Sequence, residues 1–248
     1  MTSQKPAIMT APICLFSGPR NISTALMYSF AQRGDMRVID EPLYGHYLRI
    51  TGAPHPGRET VISSMNCDGD SVMRELMALA IASTPVHLFM KHMTHHLVDL
   101  DLSFLTATRN VFLIRDPRDM LPSLTVQLPQ ARLADTGLER QWQLYTELVA
   151  CGQRPAIVDA RELLIDPNSV LRQLCTRLGL EFSTAMLSWE AGSRPEDGVW
   201  APYWYHSVHA STGFGRYTPK TDFPAHLESL LADCEPWYEK LFAHAIYA

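Results

Sequence analysis

Arg20, Asn21, Ser23 and Thr24 follow an apolar run of Ile13, Cys14, Leu15 and Phe16 and a Gly18-Pro19 turn, and they precede a helical pattern of Ala25, Leu26, Tyr28 and Phe30. Strand, tight polar turn and helix make a phosphate cradle. The first N–H groups of a helix lack intrahelical partners, and the helix dipole favours an anion there. Ser23 and Thr24 add hydroxyls, and Arg20 adds a planar charge suited to phosphate oxygens. The same stretch also reads as an ordinary strand–helix unit capped by Asn21 or Ser23. A second charged turn, Arg115, Asp116, Pro117, Arg118 and Asp119, follows the apolar run 110–114, and Ser123 lies in the helix after it. Arg115 and Ser123 can face one anion if that helix folds back. The alternative is a surface Arg–Asp network of little energetic weight. Glu41 precedes Pro42 at the end of the run 36–40. A residue before proline is pushed to extended geometry, which puts Glu41 extended at a strand's C-terminal edge, where open parallel sheets bind ligands. Otherwise Glu41 is a solvated loop carboxylate. Lys91 stands at the end of the run 85–90 and can reach the crevice of Arg20. His92, His95 and His96 follow it without a carboxylate or cysteine at ligand spacing, so no metal is expected.

The elements that hold these groups alternate. Short apolar runs at 13–16, 36–40, 85–90, 110–114 and 155–158 read as five strands. Helical spacing fills 70–83, 138–150, the stretch from Asp166 to Gly179, and a C-terminal segment starting near Pro224 with a break expected at Pro236. The Gly-, Pro- and Ser-rich stretch 51–69 reads as a loop, and the aromatic, glycine-bearing stretch 193–217 as a cover over a base or a substrate or a satellite packing cluster. This alternation predicts a parallel sheet covered on both faces, in one domain over residues 1–248.

Composition narrows the function. The 248 residues carry 21 Lys and Arg against 26 Asp and Glu, a net charge of −5, so neither a nucleic-acid surface nor a polybasic membrane patch is expected. The five cysteines are scattered without a CxxC pair, which fits a reducing, cytoplasmic compartment. The N-terminal MTSQKPAIMTAP has no signal-peptide pattern, and no run is long enough to span a bilayer.

The Walker A pattern is absent, because Gly18 is followed by PRNIST without its second Gly and Lys. The two turns together resemble the sulfotransferases that use 3′-phosphoadenosine 5′-phosphosulfate (PAPS). The family's PRSGST-like loop is similar to Pro19, Arg20, Asn21, Ile22, Ser23 and Thr24, with Asn21 and Ile22 in place of Ser-Gly. Its R-x-P-x-D-x-x-x-S motif stands intact from Arg115 to Ser123, and ELLIDP through LGL at 162–180 resembles a downstream signature. The resemblance implies a P-loop-type three-layer α/β sandwich with a central five-stranded parallel sheet. It implies that the first loop binds the 5′-phosphosulfate and that Arg115 and Ser123 bind the 3′-phosphate. Ser211, Thr212 and Gly213 correspond to the family's C-terminal 3′-phosphate loop, although its Arg-Lys-Gly is missing. The family's Lys-Thr-His step appears as Lys91-His92-Met93, and a Glu-Pro step used in carbohydrate and bacterial branches appears as Glu41-Pro42. Glu41 is the expected base, with His92 as second choice and His95 or His96 behind it. Arg20 and Lys91 are expected to neutralise charge. The implied reaction moves a sulfuryl group from PAPS, without a metal, to a hydroxyl or amine of a small-molecule or carbohydrate acceptor. A P-loop kinase and a non-catalytic nucleotide-binding protein of the same fold are the alternatives. Sulfotransferase-like modules also occur beside aminotransferase-like regions in some plant proteins, but no pyridoxal-phosphate lysine site is visible here. The acceptor's identity and the oligomeric state have no signature in the sequence.

Overall fold

A computed structural model describes residues 11–82 and 86–248. The reading of the N-terminal ten residues, and the boundaries at Ser83 and Pro85, fall on positions outside the described residues.

Along the chain, β1 (Ile13–Ser17) leads into α1 (Ser23–Ala31), and β2 (Met36–Asp40) into α2 (Tyr44–Thr51), α3 (Arg58–Ser64) and α4 (Gly69–Ala82). Next come β3 (His87–Met93), β4 (Arg109–Ile114), α5 (Pro117–Gln127), α6 (Leu133–Thr136) and α7 (Leu138–Ala150). The final third holds β5 (Ala156–Asp159), α8 (Ala160–Ile165), α9 (Pro167–Arg177), two short turns α10 (Ala201–Trp204) and α11 (His206–His209), α12 (Glu228–Phe242) and β6 (Ala245–Ile246). Every strand pairing is parallel, in the order β2-β3-β1-β4-β5-β6.

Among the described residues the sheet therefore has six strands rather than five. The added strand, β6, is two residues long, too short for a run or an alternation to mark it. Period-two alternation sorts β1 between two cores. Cys14 and Phe16 join the layer of Leu121, Leu144 and Leu231, and Ile13 and Leu15 join that of Leu26, Phe30 and Leu171. Helices α5, α7 and α12 cover the first face; α1 and α9 cover the second. A third cluster of Tyr44, Leu48, Val61, Trp200 and Tyr205 sits beyond the strand ends.

The stretch read as one loop at 51–69 holds α3. Gly52 and Gly57 both have positive φ, one ending α2 and the other opening α3, so glycines read as loop residues are helix punctuation. Pro236 does not break α12, which runs through it. No described helix is long and apolar enough to cross a membrane.

The chain leaves β1 toward β2 on one side and leaves β4 toward β5 on the other, so the sheet's switch point lies between these two neighbours. Crevices at such points are where open α/β sheets bind ligands. The two charged turns of the sequence are the loops after β1 and β4.

Candidate active site

The loop after β1 is tightly held. A Cβ on Gly18 would collide with the Thr136 carbonyl, so only glycine fits there. Arg20 and Ile22 both have positive φ, 61° and 58°. Ile22 thus adopts the left-handed conformation that the glycine of the PRSGST-like loop provides freely, and a β-branched residue does so at a cost of about 1–2 kcal/mol. Asn21 is buried; its Nδ2 donates to the Leu113 carbonyl at 3.3 Å, and its Oδ1 has no partner among the described residues. No side chain among the described residues caps α1, which leaves its first N–H groups open to the cavity lined by Ser23, Thr24 and Ala25.

The loop after β4 meets it. Arg115 Nη1 donates to the Arg20 carbonyl at 2.8 Å, and Arg20 Nε donates to Ser123 Oγ at 2.9 Å. Asp116 caps α5 by accepting from the Arg118 N–H, with Pro117 in the first turn. Arg20, Arg115 and Ser123 are therefore brought together, with Arg20 and Arg115 lining one end of the cavity and Ser123 behind Arg20.

At the other end of the α1 N-terminus sits Lys91, fully buried. Strand β3 runs on to Met93, so Lys91 lies within it rather than at its end, in register with Leu15 and Asp40. Its Nζ donates to Asp40 Oδ1 at 2.6 Å, to Glu41 Oε1 and the Tyr205 hydroxyl at 2.8 Å, and to Thr24 Oγ1 at 3.4 Å. Tyr205 in turn donates to Asp40 Oδ2 at 2.6 Å and accepts from Trp200 Nε1 at 3.1 Å. Burial alone would depress the ammonium's pKa, but Asp40 and Glu41 outweigh it and hold Lys91 charged. Burial raises the Glu41 carboxyl, Lys91 draws it down and Asp40 pushes it up, and the balance is above the usual carboxylate range.

Glu41 is buried, not solvated, and is not extended. Its φ is 38°, against the preference imposed by Pro42. The Glu41 N–H donates to the Lys91 carbonyl and its own carbonyl accepts from Tyr44 N, so the turn is held from both sides while the carboxylate meets Lys91.

His92 does not reach the cavity. It is in register with Phe16 and stacks on that ring at 5.3 Å, on the opposite face of the sheet from Lys91, because successive strand residues alternate. Burial lowers its pKa to about 3, and neither ring nitrogen has a partner among the described residues. His95 and His96 do line the cavity, and His96 Nδ1 lies 3.9 Å from Glu41 Oε2.

Ser211 and Gly213 line the cavity and Thr212 does not. The Ser211 hydroxyl is already engaged, donating to the Val208 carbonyl and accepting from Trp189 Nε1, and Gly213 bridges to Ser188. This segment shapes a wall more than it offers free donors. The whole cavity has a volume of about 640 Å³ and runs from Arg115 past Glu41 to residues 53–56 and Trp204. Asp40 and Tyr205 were not singled out from sequence. The adjacent carboxylates Asp40 and Glu41 at a strand end were a usable signal for the first; no local pattern marked the second.

The family model described as a sulfotransferase domain matches residues 11–245. The chain belongs to that family. Membership makes it a transferase of the sulfotransferase type. Among solved structures, the sulfotransferase domain of the Synechococcus PCC 7002 olefin synthase superposes with a TM-score of 0.54 at 17% identity, covering 95% of each chain. A sulfotransferase from Alicyclobacillus acidocaldarius does so with 0.51 at 13% identity, covering 95% of this chain and 97% of that one. Both share the sulfotransferase domain's fold. Branched-chain-amino-acid aminotransferase-like proteins 2 and 1 of Arabidopsis thaliana are 40% and 41% identical over 232 residues. That span is 92% of this chain and 41% of each relative, so the chain covers about two-fifths of the length of these curated relatives.

The donors present suit a nucleotide bearing phosphates at two positions. The uncapped α1 N-terminus with Thr24 could hold one anion and Arg115 with Ser123 a second, the two linked through Arg20.

Proposed function

We infer that this domain moves a sulfuryl group from PAPS to a hydroxyl or amine of a small-molecule acceptor, with Glu41 taking the acceptor's proton. The observation that carries the reading is the position of Lys91, whose Nζ contacts both Glu41 and Thr24 and so ties the proton acceptor to the anion cradle. PAPS supplies an activated sulfuryl group. Pro19, Arg20, Asn21, Ile22, Ser23 and Thr24 with the α1 N–H groups would hold its 5′ end, and Arg115 and Ser123 its 3′-phosphate.

Glu41 accepts a proton from the acceptor hydroxyl; its raised pKa makes the ionised form a better base than an exposed carboxylate. Lys91 stabilises negative charge beside Thr24 and keeps Glu41 ionised against its burial. Asp40 and Tyr205 hold the ammonium in place. The small-molecule acceptor enters from the side of residues 53–56 and Trp204, which line the cavity beyond Glu41. The five cysteines, all free thiols, suit the reducing conditions of the cytoplasm.

Calorimetric titration with 3′,5′-ADP, ATP and 5′-AMP tests the nucleotide. The reading expects a preference for 3′,5′-ADP of about a hundredfold, lost in Arg115→Ala, since hydrogen bonds to charged groups contribute about 1.5–3 kcal/mol each. ATP binding as tight or tighter overturns it. Glu41→Gln is expected to keep 3′,5′-ADP affinity and to lose turnover by about 100-fold or more; full turnover in that variant removes Glu41 as base.

A further inference from the structure

We propose that the acceptor is an uncharged, flat aromatic alcohol, a phenol, held between Glu41 and the ring-lined end of the cavity; this rests on the sulfotransfer reading above. That end is built from Tyr44, Tyr47, His55, His95, His96 and Trp204. Its rings are locked on one another. His96 is stacked on Tyr44 (4.9 Å, 5°) and on Tyr47 (4.5 Å, 24°), and His95 stands edge-on to both Tyr47 and His96.

Four acceptor chemistries can be weighed against this wall. An acceptor carrying a carboxylate or phosphate needs a cation. Lys91 is spent on Asp40 and Glu41, while Arg20 and Arg115 are engaged at the opposite end of the cavity. Burial keeps the three histidines neutral: His95 is held down to about 4, His96 well below its ordinary value, and His55 is lowered too. An anion at that end faces Glu41 instead. A quaternary or protonated amine needs open ring faces. The faces that Tyr44 and Tyr47 turn to His96 are covered, and of the two carboxylates that line the cavity, Glu41 already holds Lys91 at 2.8 Å and Asp135 Oδ2 accepts from the Arg132 N–H. A sugar must exchange several hydrogen bonds to water for bonds to the wall. Two of the wall's polar tips are used internally: the Tyr44 hydroxyl bonds His55 Nδ1 at 2.8 Å, and the Tyr205 hydroxyl is filled by Asp40, Lys91 and Trp200. His95 Nδ1 and His96 Nδ1 are buried without a partner among the described residues, which is fewer bonding atoms than the several hydroxyls of a sugar require.

A phenol asks for little and receives what is present. It brings apolar area and a π-system to a wall of packed rings. It brings one hydroxyl, and Glu41 is the acceptor beside it. The chemistry agrees with the fit. A phenolic proton ionises near pH 10, as tyrosine does, whereas an alkyl hydroxyl ionises far higher, so a carboxylate removes the phenolic proton far more readily.

The test is calorimetry on the intact chain with 2-naphthol, 6-hydroxy-2-naphthoate, choline and N-acetylglucosamine, each with and without saturating 3′,5′-ADP. 2-Naphthol is expected to bind at least about tenfold tighter than the other three. Trp204→Ala, a half-exposed position, is expected to weaken 2-naphthol by about tenfold while leaving 3′,5′-ADP affinity within about twofold. A sugar, cation or naphthoate that binds as tightly as 2-naphthol overturns the proposal. So does an unchanged 2-naphthol affinity in Trp204→Ala. Failure of 3′,5′-ADP to bind strikes the nucleotide reading alone, because the naphthol titration without nucleotide still reports on the ring-lined end.

Discussion

At the scale of single residues, the site depends on a charge balance that its neighbours adjust. Asp40 and Glu41 share Lys91, and Asp40 raises the pKa of Glu41. A base must be ionised to work, so on the proposal that Glu41 is the base, activity is expected to rise with pH through its pKa, above where a free carboxylate would place it. Asp40→Asn removes the repulsion and is expected to move that acidic limb of the kcat/KM profile to lower pH; an unmoved limb assigns it to another group. How much of this was legible beforehand divides along physical lines. Glu41 before Pro42 and Lys91 after an apolar run were visible because a proline and an apolar run are local signals, although β3 carries on past Lys91. Tyr205 was hidden, since its partners Asp40 and Lys91 stand more than a hundred residues away and side-chain pairing at that range has no periodicity. His92 turns away from the cavity because β3 runs past the expected end, which puts His92 inside the strand and, by alternation, on the face opposite Lys91. Glu41's positive φ opposed the rule for residues before proline, and such exceptions gather where surroundings over-determine the backbone.

At the scale of elements, the two strand–helix turns do the positioning. Gly18→Ala forces its Cβ against the Thr136 carbonyl, which α6 and α7 hold in place. It is expected to destabilise the protein by about 1–3 kcal/mol in urea unfolding and to weaken 3′,5′-ADP. Ile22→Gly relieves the left-handed strain and loses packing against the α1 core, two effects of similar size, so only a small change in melting temperature is expected. Asp159 marks a different junction, from β5 into α8. Its carboxylate accepts from the N–H groups of Arg161 and Glu162 and from the Tyr238 hydroxyl, and burial raises its pKa to about 6. A carboxyl with a raised folded pKa binds its proton more tightly in the folded state. Stability from this group is therefore lost as pH rises from about 4 to about 6. Asp159→Asn keeps the cap and removes the charge. Its unfolding free energy is expected to exceed that of the parent by on the order of 2 kcal/mol at pH 8, with the gap closing below pH 4; an equal gap at both pH values excludes titration as the cause. The turns were readable from sequence because glycine, proline and capping residues act locally. The helix inside 51–69 was not, because the same glycines signal a loop and a helix end equally well.

At the scale of the whole molecule, buried imidazoles set the response to acid. His92, His95 and His96 stay neutral in the fold, with pKa values of about 3, about 4 and well below normal, whereas an unfolded chain protonates them near pH 6.5. Stability falls as pH drops below that value, by about 1.4 kcal/mol per pH unit for each histidine, while Asp159 and Glu41 act in the opposite sense. His92→Leu is expected to flatten the slope of unfolding free energy between pH 4.5 and 6 by one proton's worth; an unchanged slope shows that His92 is protonated or solvated in the fold. The architecture itself was largely legible, since alternating strands and helices leave few layered solutions. The sixth strand escaped because two residues carry no pattern. That strand and Tyr205 share a property of synthesis. β6 pairs with β5, and Tyr205 completes the coordination of Lys91, yet both are translated after all the residues they serve. A ribosome that has made the first two hundred residues holds a chain with an open sheet edge and a lysine missing one of its partners. The lysine gains its last partner first, and the sheet edge is covered about forty residues later.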